Sequence, residues 1–457
     1  MPIIEKENKR VNPARTLVVG FLIIIAVGTA LLCLPISSRS RSFTSLFDCL
    51  FTATSATCVT GLTVADTYSH WSLFGQIVIA LLVQVGGLGF VTLITFFNVA
   101  AGKKLGYRTL KNVAGELSEN SFEGGRRILV SIIKYSLIFE FCGALIMMTV
   151  FVPRYGAYGV WMSVFMSVTA FCNAGFDLMG TDAPNTSLIT VNDNPVVLIT
   201  IALLIIIGGL GFIVWENFQN IRSTKKLTLH TRAVLLMSGV LIATGTVFYL
   251  LTEWNNPATL GEMNFGEKLL NAFFTSVTTR TAGFASVPME NMSEFSQLGT
   301  SLLMFVGVAP ASMGGGIKVT TLLVMIMTVV SYIKNKSDVE IFRHKIDKLI
   351  VYRTLVMSVL SMFAVLICFS ALYFSMPEGA SESGVGAVQC LFDAISAFST
   401  AGLSAGATAI TGYAGKSLLI VTMFIGRIGP VSLILSLIMN SSSRKNIVLP
   451  DGNIIIG

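Results

Sequence analysis

Phe51-Thr-Ala-Thr-Ser-Ala-Thr-Cys58-Val59-Thr60-Gly61-Leu62 is the stretch from which the fold is read, because three later stretches repeat its plan. Phe165 to Phe176 ends in Cys172-Asn173-Ala174-Gly175-Phe176. Phe273 to Phe284 ends in Arg280-Thr281-Ala282-Gly283-Phe284, and Phe392 to Leu403 ends in Ser399-Thr400-Ala401-Gly402-Leu403. Each has an aromatic ten residues before the glycine, Thr or Ala just before it and Leu or Phe just after. The glycines recur about every 110 residues, which reads as one structural unit used four times. Each stretch lies between two apolar segments. A helix, a half-helix with a glycine loop and a second helix, repeated four times, is the plan of a cation pore.

Composition fits a membrane protein. Mean hydropathy is +0.76, 12% of residues are charged and 53% are hydrophobic, which excludes a soluble domain. The apolar spans are 16–35, 76–98, 129–152, 196–215, 234–252, 299–332 (interrupted), 351–375 and 417–440. The fold class is therefore all-α integral membrane: four M1–P–M2 repeats, with eight transmembrane helices and four re-entrant pore loops, around a pseudo-fourfold pore. The chain divides as 1–100 (N-terminal tail and repeat 1), 101–222 (cytoplasmic loop and repeat 2), 223–335 (repeat 3) and 336–457 (cytoplasmic loop, repeat 4 and tail). The first span is longer than a secretory h-region and has no small-x-small cleavage site before Cys33, so it reads as a retained helix.

Charge placement sets the orientation. Lys and Arg gather in the N-terminus (Lys6 to Arg15), in the loops 99–128, 216–233 and 334–353, and in the tail (Arg444, Lys445). The opposite connectors hold only Arg39, Arg41, Arg154, Lys268 and Lys416. The basic side is cytoplasmic by the positive-inside rule, so both termini are inside and the glycine loops enter from outside. This segregation also accounts for the net charge of +7 and disfavours nucleic-acid binding. Carboxylates populate the outer connectors: Asp66, Asp177, Asp182, Asp193, Glu253, Glu262, Glu267, Glu290, Glu294, Glu378 and Glu382. An acidic vestibule concentrates cations, although ordinary solvation explains most such residues.

The first half-helix, 45–57, would extend roughly 20 Å at 1.5 Å per residue. That enters a ~30 Å hydrocarbon core without crossing it. The chain must then turn back through Cys58 to Gly61, and irregular backbone at that depth must be covered by protein or line water. Four such loops aim their carbonyls at one axis, where they can replace the hydration shell of a monovalent cation. The negative ends of the half-helices point at the same place. No Asp or Glu lies within four residues before any of the four glycines, unlike the acidic rings of divalent-cation channels. Arg280 is expected to point behind the filter as a brace, because a cation facing the pore repels the permeant ion. Small-residue helix packing explains one such glycine, but not four matched ones.

The residues Thr60-Gly61-Leu62, Asn173-Ala174-Gly175-Phe176, Thr279-Arg-Thr-Ala-Gly-Phe284 and Ser399-Thr-Ala-Gly-Leu403 resemble the Trk/Ktr/HKT superfamily of potassium transporters, nearest its KtrB branch. Further matching pieces are Gln84-Val-Gly-Gly-Leu-Gly-Phe90, Gly314-Gly-Gly-Ile-Lys318 and Gly426-Arg427-Ile-Gly-Pro430. The resemblance implies filter segments Cys58–Gly61, Cys172–Gly175, Arg280–Gly283 and Ser399–Gly402, with potassium at the carbonyls of Thr60, Ala174, Ala282 and Ala401. It implies a homodimer and a cytoplasmic RCK-type (KtrA-like) nucleotide-binding ring. ATP or ADP would then act only through that partner, and sodium is a candidate activator. Glycine in all four filters goes with potassium in this family, whereas serine in the first goes with sodium permeation.

The sixth span is expected to be interrupted at 307–317. Gly307, Pro310, Ala311, Ser312, Gly314, Gly315, Gly316 and Lys318 are poor helix material there. Arg427 in the last span costs about 2.5–3.5 kcal/mol at membrane depth and needs a partner, either the carbonyls of that loop or pore water. Arg427 and the loop are read together as a gate below the filter. Lys134 and Glu140 lie six apart in the third span, so they do not share a helical face well. For Glu140 a proton relay and an interhelical hydrogen bond are both open. A coupled transporter is the competing function, but the repeats are parallel and intramembrane carboxylates are scarce. An enzyme is not supported. The cysteines form no CxxC pair and read as structural thiols, His70, His230 and His344 fall in loops, no metal cluster appears, and no covalent cofactor is implied. The loops 99–128, 216–233 and 334–350 are expected to dock the partner. The tail Leu449–Gly457 is expected at the dimer interface by resemblance.

Overall fold

The computed structural model describes residues 13–89, 122–224, 226–377, 379–380 and 384–437. In chain order, α1 (Pro13–Leu32) is followed by α2 (Leu46–Thr57) and α3 (Leu73–Leu88). Next come α4 (Phe122–Tyr155), α5 (Tyr158–Phe171), α6 (Pro195–Gly209) and α7 (Phe212–Thr224). Then follow α8 (Leu229–Glu253), α9 (Phe265–Thr278), α10 (Glu294–Phe305) and α11 (Val319–Ile333). A short hairpin of β1 (Glu340–Ile341) and β2 (His344–Lys345) leads to α12 (Lys348–Phe374), α13 (Ala387–Ser399), α14 (Tyr413–Ile428) and α15 (Pro430–Leu437).

Sequence chemistry explains where the helices begin. Asn194 accepts from the N–H groups of Val196 and Val197 ahead of Pro195, the favoured first residue of a helix. Ser72, Thr228, Ser293 and Asp347 cap α3, α8, α10 and α12 in the same way. Asn264 and Glu267 form a capping box on α9.

The long helices α1, α4, α8 and α12 are apolar enough to cross a membrane. Their outward faces are covered with exposed leucine, isoleucine, valine and phenylalanine, such as Leu22, Phe141, Leu251 and Ile367. Such a surface is stable only in lipid or against another apolar surface. The short helices α2, α5, α9 and α13 are buried among them. Packing is cyclic: α3 lies on α5, α6 on α9, α10 on α13, and α14 returns to α2.

Hydropathy predicts unbroken spans at 76–98, 196–215 and 417–440, and the structure breaks each of them. Helix α3 stops at Leu88, α6 at Gly209 and α14 at Ile428. Gly89, Gly211 and Gly429 take φ of 84°, 84° and 86°, a conformation that cannot continue a right-handed helix. The chain bends by 91° between α6 and α7. The sixth span is also broken, between Phe305 and Val319, with Gly316 at φ 68°. The interruption is thus not peculiar to that span.

Two smaller expectations change as well. None of the three histidines lies in a loop: His70 ends a single helical turn, Thr67–His70, His230 sits in the first turn of α8 and His344 is in β2. Glu253 is buried and accepts from Asn256, Thr259 and the backbone and hydroxyl of Ser293, so it ties loops together instead of facing a vestibule. All seven cysteines are free thiols. The end of the second span, most of the loop 99–128, Lys225, Glu378, Glu382, the N-terminal basic residues Lys6 to Arg10 and the tail Leu449–Gly457 lie outside the described residues.

Candidate functional site

The four short helices end where the four glycines meet. A Cβ built on Gly61 would lie 2.5 Å from the carbonyl oxygen of Ala174, and one on Gly175 would lie 2.8 Å from that of Ala282. On Gly283 it would lie 2.9 Å from the carbonyl oxygen of Ala401, and on Gly402 it would strike that of Thr60. Each glycine therefore faces the carbonyl preceding the next glycine, in the order 61, 175, 283, 402 and back to 61. The four segments form a closed ring lined by backbone, and none of the four sites has room for a side chain.

The ring is held in uncommon backbone geometry. The residue two before each glycine has positive φ: Val59 57°, Asn173 57°, Thr281 66° and Thr400 53°. The glycines follow at 93°, 67°, 85° and 80°. Three of the four non-glycine residues are β-branched, and each costs about 1–3 kcal/mol in this region. Hydrogen bonds to the helix ends hold the strain. Thr60 N–H donates to Ser55 O, Ala174 N–H to Thr169 O and Ala401 N–H to Ser396 O, each at 2.8 Å. The third segment differs: Ala282 N–H reaches Thr278 O at 2.9 Å, four residues back rather than five.

Charged and polar groups lie behind the ring. The Arg280 guanidinium turns to α8 and donates to the Ser238 carbonyl (3.4 Å) and hydroxyl (3.1 Å). With its amide nitrogen toward acceptors, Asn173 donates to Ala170 O and Ile205 O. The buried Asp393 carboxylate accepts from Ser404 Oγ (2.8 Å), Ala405 N–H (2.8 Å), Thr408 N–H (2.6 Å) and Thr408 Oγ1 (2.6 Å). It thereby anchors the exit of the fourth segment to α13. Asp393→Ala strands several buried donors, each worth about 1–3 kcal/mol. The expected result is a loss of about 3 kcal/mol or more by thermal unfolding in detergent, with a smaller loss for Asp393→Asn. Equal stability of all three proteins would contradict the assignment.

Sequence reading missed a second glycine set. Gly86, Gly208 and Gly426 lie against the carbonyls of Thr57, Phe171 and Phe398, each four residues before a ring glycine. They let α3, α6 and α14 approach the ends of the short helices. Their signal was the glycine pairs at 86–87 and 208–209, which are too common to be read singly.

The segment between α10 and α11 packs against one side of the ring. Its ends are joined by a parallel bridge, Val306 to Ile317, with Gly307 N–H donating to Ile317 O at 2.8 Å. Gly314 abuts the Thr281 side chain, and Gly315 N–H donates to Thr400 Oγ1 at 3.0 Å. On the other side, Ala309 N–H donates to Gly209 O and Phe212 N–H to Ala311 O. Ser312 Oγ bonds Ala309 O, and Pro310 O faces Gly211. Lys318 Nζ donates back to the carbonyls of Gly314 (2.6 Å) and Gly315 (3.4 Å). Arg427 donates to Met313 O in this segment and to Gly86 O and Gly87 O on α3. The segment therefore contacts the third and fourth ring segments directly, and reaches α3 through Arg427.

Outside the ring, Asp177 follows Phe176 and accepts from Met179 N–H at 3.0 Å. Burial, together with the nearby Asp66, pushes its carboxyl up to about 6, while that hydrogen bond pulls the other way. Asp66 accepts from Ser69 N–H and Asn185 N–H, and Asp182 pairs with Arg154 at 2.7 Å. These carboxylates organise loops rather than standing free in solvent.

Comparison with known proteins gives concordant matches. A family model described as TrkH, cation transport protein, matches residues 6–447. The chain is 36% identical to the potassium/sodium uptake protein NtpJ of Enterococcus hirae, over all of both chains. It is 38% identical to the Ktr system potassium uptake protein B of Bacillus subtilis, covering 98% of this chain and 97% of the relative. The crystal structure of the potassium transporter TrkH from Vibrio parahaemolyticus superposes with a TM-score of 0.71 at 16% identity, covering 95% of this chain and 86% of the other, and shows the same fold.

Proposed function

The chain belongs to the TrkH family of cation transport proteins, and from that premise we propose that it is a channel-like potassium-uptake subunit of the plasma membrane, with both termini cytoplasmic. It is a transporter, not an enzyme. The observation that carries the proposal is the closed ring in which each of Gly61, Gly175, Gly283 and Gly402 meets the next segment's carbonyl.

A cation entering the ring exchanges water for the carbonyls of Thr60, Ala174, Ala282 and Ala401. Four helix C-termini, each worth about half a negative charge, favour it there. The ring presents no carboxylate, so little holds a divalent ion in preference to a monovalent one. Buried hydroxyls of Thr57, Thr60 and Thr281 have no protein hydrogen-bond partner, which fits a path that offers water or an ion. Arg280, directed at Ser238, keeps its charge off that path.

The segment 307–317 with Arg427 acts as the barrier beneath the ring. A cytoplasmic RCK-type ring, docked on the basic loops, moves this barrier in response to ATP or ADP, and the transporter works as a homodimer. The relative named as a potassium/sodium uptake protein supports a second reading, in which sodium activates or also permeates.

Potassium uptake into liposomes holding the purified chain, with and without the cytoplasmic partner, tests the proposal. The expected result is uptake that follows the imposed potassium gradient and rises with the partner. Uptake that needs a sodium gradient would overturn the channel-like reading in favour of coupled transport.

A further inference from the structure

One buried carboxylate has no place in this mechanism. Glu140 lies in the middle of α4, is 5% exposed and forms no salt bridge among the described residues. With Leu137, Ile138, Phe141 and Val164 it lines an apolar cavity. Gln84 on α3 donates from Nε2 to Glu140 Oε1 at 2.9 Å. The other end of the same amide, Gln84 Oε1, accepts from the Cys172 thiol at 3.5 Å. Cys172 is the first residue of the second ring segment. Gly87 leaves space for this thiol, since a Cβ there would lie 2.8 Å from Cys172 Sγ. Ser167 on α5 donates to the Glu140 backbone carbonyl at 2.6 Å, which fixes α4 against the helix that Cys172 caps.

The chemistry of the chain of bonds runs in one direction. Glu140 Oε1 accepts from Gln84 Nε2, so the Gln84 nitrogen faces α4. The Gln84 oxygen must then face Cys172, whose thiol can donate to it. Without Glu140 the amide is free to turn its NH2 group toward sulfur, and the thiol loses its acceptor.

We propose that Glu140 is a positioning residue for the filter: through Gln84 it orients the Cys172 thiol and so holds the second segment in register with the ring. This rests on the reading of the ring as the filter. The test pairs two readouts on the full-length protein in liposomes. The first is the S–H stretching band of Cys172, assigned by its loss in Cys172→Ala. The second is the ratio of potassium to sodium uptake.

In Glu140→Leu the band is expected to move to higher frequency as the thiol loses its acceptor, and the ratio to fall about fivefold. Gln84→Glu removes the N–H donor to Glu140 but keeps an oxygen for the thiol; with two carboxyl groups face to face the ratio is expected to fall as in Glu140→Leu, without the move of the band to higher frequency. The exchanged pair Gln84→Glu with Glu140→Gln restores donor and acceptors, and is expected to show both readouts of the wild type. Should Glu140→Leu give no folded protein, the ratio of the exchanged pair against Gln84→Glu decides. A wild-type band in Glu140→Leu, or a ratio that stays unchanged while the band moves, overturns the proposal. Absence of potassium preference in the wild type sinks the underlying filter reading instead, and the band still reports whether Glu140 sets the thiol.

Discussion

Gly61→Ser is expected to lower the potassium-over-sodium uptake ratio tenfold or more, about 1.4 kcal/mol of lost discrimination, with the protein still folded. Gly61 sits at φ 93°, and its missing Cβ would lie 2.5 Å from Ala174 O and 3.2 Å from Gly175 Cα. Both neighbours are backbone, so neither can rotate aside. The positive φ alone costs a side-chain residue about 1–2 kcal/mol. Relief requires the Ala174 carbonyl to withdraw from the ring, which widens it on one side. A wider and less regular set of oxygens no longer compensates potassium better than sodium. Parallel uptake assays with the two ions check this, and an unchanged ratio would remove Gly61 from the filter.

Deleting residues 311–316 is expected to raise potassium flux about tenfold while leaving the preference for potassium. The cut is sterically mild, because Val306 and Ile317 are already bridged and Gly307 N–H bonds Ile317 O. The shortened loop has its ends in place. The deletion removes Met313 O, a tether of Arg427, and the Gly314 and Gly315 carbonyls that bind Lys318. It also removes Gly315 N–H from Thr400, in the fourth ring segment. Flux equal to the wild type would mean that the segment is a packing element and the barrier lies elsewhere.

Much of this arrangement was legible in the sequence because it is written in repeats. The aromatic-to-glycine spacing at 51–61, 165–175, 273–283 and 392–402 exposes four copies that no single copy would reveal. The break near Pro310 is visible because three glycines follow it closely. The breaks at Gly89, Gly211 and Gly429 are not, because each hangs on one glycine inside an apolar run, and hydropathy is blind to the sign of φ. The positive φ at Val59, Thr281 and Thr400 is equally hidden, since β-branched residues ordinarily argue against it. Glu253 and Asp66 read as solvated loop acids because Ser293 and Asn185, which complete their sets of donors, come from distant loops. An interhelical hydrogen bond was one of the two readings open for Glu140, and its bond to Gln84 is one, but nothing in the local pattern marks Gln84 as the partner or carries the link on to Cys172.

The most direct test of the ring is to see the ion in it. Crystals of the protein grown with rubidium in place of potassium should show an anomalous peak enclosed by the carbonyl oxygens of Thr60, Ala174, Ala282 and Ala401. The peak should weaken when sodium replaces rubidium. Rubidium bound only elsewhere, with these four carbonyls empty, would contradict the account.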